Sequence, residues 1–263
     1  MNKKKKIKDS LKNGYCIIKL FKNSEIDFVK KIIVKKLQSL DEKKLLKNLS
    51  TRNLSNYHCL NIKDEDHKKI LKTSTRFIKL NYSLNKSIKN LEILKLIMTE
   101  TWGHEDASLY WVGSLKKQNI KSDVIGFRIS RPNEIKNNDA TGIHIDLHVG
   151  GKICKDNNAL ITLWIPVMGY SSKYSLNFSP KSHLINHPIK KFKKSKTVTN
   201  IFTDQYLKRF KFIRPNLKKG DAIIFHPNLL HGNSFNNGKR TRFSLEARLY
   251  NKRNKINWQG LQS

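Results

Sequence analysis

The sequence is poor in cysteine, proline, glycine, alanine and acidic residues, and each shortage removes something from consideration. Three cysteines in 263 residues, Cys16, Cys59 and Cys154, stand far apart and form no CxxC pair. That excludes a disulfide framework and a thiolate zinc site, and it fits a reducing, cytoplasmic setting. No apolar run approaches the roughly 18 residues of a membrane span. The basic start Met1-Asn2-Lys3-Lys4-Lys5-Lys6 is followed by only a short apolar stretch, Tyr15-Cys16-Ile17-Ile18, which Lys19 interrupts. No signal-peptide core is formed.

Acidic residues are outnumbered, 20 against 53 lysines and arginines, giving a formal net charge of +33. A balance this basic is the usual footprint of a nucleic-acid binder. Here the lysines are spread along the chain, and no interleaving of arginine and aromatic residues forms a recognition motif. Abundant Lys, Asn and Ile beside sparse Ala, Gly and Pro reads instead as AT-rich codon drift. Non-specific polyanion binding is then a by-product, and no specific nucleic-acid partner is expected.

Hydrophobic residues make up 38% of the chain, enough for a substantial core. Residues 1–14 read as a basic flexible tail, and 15–263 as a single domain. Its first part, about 15–121, is expected to be largely helical. Tyr15–Phe21 is β-rich. Ser24 and Asp27 resemble a capping box, followed by Ile26, Val29, Ile33, Leu37 and Leu40 at helical spacing. A second helix is expected over Leu91–Trp102, with polar loop over Asn48–Asp66. From about 122 to 250 short β-runs are separated by turn residues: Val124–Ser130, Ile143–Val149, Leu160–Val167, Ser175–Phe178, Ala222–Phe225 and Arg242–Tyr250. Such spacing predicts a mostly β fold with flanking α, a double-stranded β-helix (jelly-roll, cupin-like) core packed with N-terminal helices.

In a strand, residues two apart point the same way, so His144 and Asp146 project side by side, with His148 further along that face. An imidazole and a carboxylate so placed can take two adjacent corners of one metal. His231, after the run Ala222–Phe225, is the best candidate for a third ligand. Two histidines and a carboxylate leave coordination positions open, the arrangement of non-haem Fe(II) oxygenases. Such a site takes 2-oxoglutarate through its keto acid and needs a cation for the far carboxylate. Arg242 and Ser244 share a face of the last β-run and suit that task. Arg240 is out of register with Ser244, and Arg248 lies further along the strand.

The ordered series His144-Ile145-Asp146, Leu163-Trp164-Ile165-Pro166, Ser179-Pro180-Lys181-Ser182-His183, Lys219-Gly220-Asp221, His231-Gly232-Asn233 and Arg242-Phe243-Ser244 resembles the phytanoyl-CoA dioxygenase family. The similarity covers about residues 124–250, and weakly Gly14-Tyr15. Lys181 stands where the family usually has glycine. The resemblance implies an Fe(II)/2-oxoglutarate-dependent dioxygenase using O2 that hydroxylates an unactivated C–H bond and releases succinate and CO2. It implies His144, Asp146 and His231 as metal ligands. Asp146, in place of a small residue, leaves no vacancy for chloride and favours hydroxylation over halogenation.

Arg128, opposite Ile125 and Phe127, is expected to point inward onto co-substrate, substrate or a structural carboxylate. With Arg131 it would favour a small anionic metabolite as substrate. His148 is read as lining the pocket, His183 and His226 as turn or structural histidines, and Trp164 as core. The polar stretches Asn133–Thr141 and Lys190–Thr203 are candidate lids. Two other readings stay open: an oxygenase acting on a nucleic acid or protein, and a non-catalytic β-barrel binding protein.

Overall fold

The computed structural model describes residues 9–41, 43–71, 77–79, 92–105, 107–110, 124–132, 139, 142–149, 152–154, 160–188, 202–232, 235–251, 253 and 258–260. In chain order the elements are β1 (Tyr15–Lys19), α1 (Asn23–Leu40), a 3-10 helix (Leu54–Cys59), α2 (Asp64–Ile70), β2 (Phe77–Lys79), α3 (Glu92–Trp102), β3 (Ala107–Tyr110), β4 (Val124–Ser130) and β5 (His148–Val149). They continue with β6 (Lys152–Cys154), β7 (Leu160–Met168), β8 (Asn177–Phe178), a second 3-10 helix (Ser182–Leu184), α4 (Asp204–Leu207), β9 (Asp221–Phe225), β10 (His231–Gly232), β11 (Arg242–Asn251) and β12 (Trp258–Gly260). Most of both candidate lids, 133–138, 140–141 and 190–201, lies outside the described residues.

A seven-stranded antiparallel sheet organises the fold, in the order β1-β9-β7-β11-β4-β2, with β3 also on β11. Three of these strands come from the first 121 residues, so the N-terminal part supplies sheet as well as helix. Strict alternation gives the sheet two different faces. Ile125, Phe127 and Ile129 of β4, Ile161, Leu163 and Ile165 of β7, and Phe243, Leu245, Ala247 and Leu249 of β11 join one buried apolar cluster. Ile26, Val29, Ile33 and Leu37 of α1, with Leu94, Ile97 and Met98 of α3, cover it. On the opposite face Trp164, Ile223 and Phe225 pack against Leu176, Phe178, Leu217 and Leu229 of the smaller strand layer. The sheet is not closed into a barrel; the expected jelly-roll architecture is present as two facing layers. Among the described residues no helix is long and apolar enough to cross a membrane.

Several local expectations are corrected. The N-cap of α1 is Lys22, whose backbone N–H donates to Glu25 Oε2 at 2.6 Å. Asp27 is instead paired with Lys219 and Lys30. The segment expected as polar loop, Asn48–Asp66, carries the 3-10 helix and the start of α2. Leu54 and Tyr57 there are buried, as are His67 and Ile70 just beyond it, and the Tyr57 ring meets Phe243 edge-on at 5.8 Å. In α2, Asp64, Glu65 and Asp66 occupy the first turn and His67, Lys68 and Lys69 the last, complementing the helix dipole.

Ile143–Val149 is not one strand. Its backbone makes an isolated bridge, His144 N–H to His231 O at 2.8 Å and the reverse at 3.0 Å, after which Asp146 N–H donates to Pro227 O at 2.7 Å. Proline has no N–H to return, so the ladder stops. The alternation survives nevertheless. Ile143, Ile145 and Leu147 pack with Leu230 and Phe202, while His144 and Asp146 face the large sheet. The side chain of His148 lies outside the described residues.

Candidate metal centre

His144, Asp146 and His231 converge, each offering a ligand atom, and these atoms all lie within 4.8 Å of one another. Asp146 Oδ1 is 3.9 Å from His144 Nε2 and 3.7 Å from His231 Nε2. Both histidines have their tautomer fixed from behind. His144 Nδ1 donates to the Gly142 carbonyl at 2.8 Å, and His231 Nδ1 to the Leu229 carbonyl at 2.9 Å. A carbonyl only accepts, so in the neutral rings both Nε2 lone pairs face Asp146, as metal ligation requires. Burial, then the neighbouring His231, pushes His144 down to about 4, which keeps it unprotonated at neutral pH. Burial raises the Asp146 carboxyl, but Arg248 and the two histidines outweigh it and hold it below its ordinary value.

Gly232 makes the approach possible. It sits at φ +116°, and a Cβ there would come 2.5 Å from the Gly142 carbonyl oxygen and 2.9 Å from His144 Nδ1. Any side chain would push the two histidine-bearing segments apart.

Beside the three residues, Arg242 and Ser244 lie where the strand register predicts, on the inner face of β11. Arg242 donates to the Tyr174 carbonyl at 2.8 Å and its guanidinium lies 5.8 Å from the Trp164 ring centroid. Burial first, then Arg214 and Arg128, lowers it to about 9. Asp139 and Glu246, which line the same cleft, oppose that shift without cancelling it. Ser244 Oγ is buried with no hydrogen-bond partner among the described residues. A carboxylate entering there would reach the Arg242 guanidinium and the Ser244 hydroxyl, which is the fit expected for the far end of a keto diacid.

The sequence profile of the phytanoyl-CoA dioxygenase (PhyH) family matches residues 12–244. The chain belongs to this family. It is a non-haem iron, 2-oxoglutarate-dependent oxygenase, working with Fe(II), 2-oxoglutarate and O2. Solved structures share its fold. The non-heme alpha ketoglutarate dependent carbocyclase SnoK from nogalamycin biosynthesis aligns with a TM-score of 0.58 at 11% identity, over 95% of this chain and 84% of that one. The epimerase SnoN in complex with Fe3+, alpha ketoglutarate and nogalamycin RO gives 0.51 at 14%, over 94% and 83%. EvdMO1 gives 0.53 at 14%, over 93% of this chain and 49% of that one. No curated protein matches the sequence.

Within this PhyH chain, the Ser179–His183 turn has a visible task. Ser182 Oγ donates to the Ser179 carbonyl at 2.7 Å and accepts the Leu230 N–H at 2.9 Å, bracing the backbone beside His231. The His183 and His226 rings meet at a tilt of 47° with centroids 5.1 Å apart, outside the ligand set. Trp164 is buried in the sheet face and also meets Arg242.

Arg128, left open between co-substrate, substrate and a structural carboxylate, meets a carboxylate of the chain itself, and Arg131 does too. Arg128 Nε donates to Glu246 Oε2 at 2.9 Å, with the side chain one-third exposed in the cleft beside His144 and His231. Arg131 is buried between Asp139 and Asp64, and Asp139 also contacts His67. Arg248, set aside above as lying further along the strand, stands beside the site, as do Glu246 and Thr162, for which the sequence suggested no role. Arg248 donates to Asp146 Oδ1 at 2.5 Å and to Glu246 Oε1 at 3.1 Å. The available signal was the unbroken polar alternation Arg242, Ser244, Glu246, Arg248 along one strand.

Proposed function

We propose that His144 Nε2, Asp146 Oδ1 and His231 Nε2 hold the iron, and that Arg242 and Ser244 receive the distal carboxylate of 2-oxoglutarate. The oxygenase then hydroxylates an unactivated C–H bond of a small metabolite, releasing succinate and CO2. The observation that carries this reading is the convergence of the three ligand atoms within 4.8 Å, each histidine presenting the correct nitrogen. When bound, the iron supplies O2 activation and a template on which co-substrate and substrate meet. The chain's own part is positional. Gly142 and Leu229 carbonyls orient the imidazoles, and Trp164 and Phe225 wall the site against water.

SnoK and SnoN are named for carbocyclisation and epimerisation, so the fold alone does not choose hydroxylation. Asp146, present as the carboxylate ligand, favours it over halogenation, because no position is left vacant for chloride. A small anionic substrate is supported by Arg128 at the rim; Arg131 is held by Asp64 and Asp139 and lends no support. A cytoplasmic setting is supported by the unpaired Cys16 and Cys59.

The test is anaerobic addition of Fe(II) and 2-oxoglutarate to purified protein. A visible charge-transfer band is expected from the wild type and none from His231→Ala. A band that survives in His231→Ala overturns the ligand assignment. Succinate release across a metabolite panel, with Arg128→Ala alongside, then tests the substrate class; unchanged substrate affinity in that variant removes the anionic reading.

A further inference from the structure

Asp146 is gripped through both of its oxygens, and the gripping residues lie outside the ordered series that marks the family. Thr162 Oγ1 donates to Oδ2 at 2.5 Å, and Arg248 donates to Oδ1 at 2.5 Å. Thr162 of β7 and Arg248 of β11 are direct cross-strand partners, so the donors stand on one rigid pair of the central sheet. All three residues are buried. Arg248 is itself steadied by Glu246, whose other oxygen takes Arg128 Nε, giving a line of alternating charge out to the cleft.

We propose that Thr162 and Arg248 are positioning residues that present Asp146 to the iron through Oδ1 alone. This rests on the iron reading above. A carboxylate can give a metal one oxygen or two. With two histidines and one oxygen bound, three positions stay open, two for the keto acid and one for O2. A second Asp146 oxygen would close the last. Oδ1 is the atom that faces both Nε2 lone pairs, whereas Oδ2 is tied down by the only proton the Thr162 hydroxyl has. Rotating the carboxylate breaks both hydrogen bonds together, so the pair acts as a lock on its plane.

The experiment titrates Fe(II) anaerobically into wild type, Thr162→Val, Thr162→Ser and Arg248→Lys. Nitric oxide, standing in for O2, is then added to each Fe(II)–2-oxoglutarate complex and followed by its electron paramagnetic resonance signal. Melting of the metal-free proteins checks folding. Thr162→Val keeps the shape and removes the hydroxyl, and is expected to lose about 10–100-fold in iron affinity, the usual effect of deleting an outer hydrogen bond to a ligand. It should also bind nitric oxide more weakly. Thr162→Ser, which restores the hydroxyl, should recover both. Arg248→Lys replaces a fork holding Asp146 and Glu246 together with a point charge, and should weaken both bindings in the same direction. A folded Thr162→Val, or Arg248→Lys should the valine variant not fold, with wild-type affinity for iron and nitric oxide overturns the proposal. A wild type that binds no iron overturns the reading beneath it instead, and the two failures are told apart by the first titration.

Discussion

The two faces of β11 are buried almost equally and do opposite work. Phe243, Leu245 and Ala247 are 0% exposed and Leu249 1%; Arg242 is 4%, Ser244 0%, Glu246 8%, Arg248 4% and Tyr250 2%. The first face lies against α1 and α3, where burial stabilises the fold in proportion to apolar area removed from water. The second lies under the small strands, where burial of charge is unfavourable unless each group finds a partner. Glu246 and Arg248 find one another and Arg248 finds Asp146, while the Ser244 hydroxyl has no hydrogen-bond partner among the described residues. Stability in this protein resides on one side of the sheet and chemistry on the other.

Truncation of each face gives the sharpest separation. Leu245→Ala should lower stability by about 2–5 kcal/mol, as for other buried leucines, and leave 2-oxoglutarate affinity unchanged wherever the protein is folded. Arg242→Ala should do the reverse. It removes a charged hydrogen bond to the co-substrate, about 2–3 kcal/mol or on the order of 100-fold in affinity, with a smaller change in stability than Leu245→Ala. Denaturant melts and calorimetric titration of 2-oxoglutarate into the iron-loaded protein read the two quantities separately. If Arg242→Ala unfolds as readily as Leu245→Ala, the division between the faces is wrong.

The same division explains what could be read from the residues alone. His144 and Asp146 were legible because two-residue spacing puts them on one side even of an irregular segment. Arg242 and Ser244 were legible by the same rule. The apolar alternation of β4, β7 and β11 foretold the helix-covered face. What could not be read was which remote groups the rest of that polar face meets, since that depends on the strands laid over it. Thr162 and Glu246 therefore looked like ordinary polar positions, and Arg248 like a cation too far along the strand to serve the site. Arg128 and Arg131 looked available for substrate because Glu246, Asp64 and Asp139 are remote in sequence. The polar stretch 48–66 was misread for a related reason: Tyr57 is buried by Phe243 and by its 3.0 Å hydrogen bond to His67, contacts that local composition does not display.

Acid should separate the two layers next. Burial, then the neighbouring His183, pushes His226 down to about 4, against about 6.5 in an unfolded chain. The fold therefore prefers the neutral ring. Above pH 6.5 nothing is lost; as pH falls from 6.5 towards 4 the unfolded chain takes up a proton that the folded one refuses. Stability should drop by about 3 kcal/mol over that window. His226 Nδ1 accepts the Asn228 N–H at 3.1 Å, a role that an asparagine oxygen can take over. Metal-free His226→Asn should accordingly show a shallower loss between pH 7 and pH 4 than the wild type in denaturant melts. Equal slopes would remove His226 as the source. The apolar face contains no group able to titrate in this range, so Leu245→Ala should leave the slope as it is.

The smallest expected effect concerns Lys181, in the turn that braces His231. It sits at φ +65°, ψ −3°, a left-handed conformation that its Cβ makes unfavourable. The family usually has glycine here. Lys181 N–H donates to the Asn13 carbonyl at 3.0 Å and its own carbonyl accepts Leu184 N–H at 3.1 Å. Both bonds belong to the backbone, and the side chain is exposed. Replacing it should relieve the strain without losing a contact. Lys181→Gly is expected to gain up to about 1 kcal/mol once the extra freedom of glycine in the unfolded chain is subtracted. Lys181→Ala keeps the Cβ and should gain nothing, which separates backbone strain from any effect of removing charge. Iron affinity should be the same in all three, because the Ser182 hydroxyl and the Leu230 N–H, which brace His231, are untouched. A gain in Lys181→Ala equal to that in Lys181→Gly would assign the effect to charge instead of conformation.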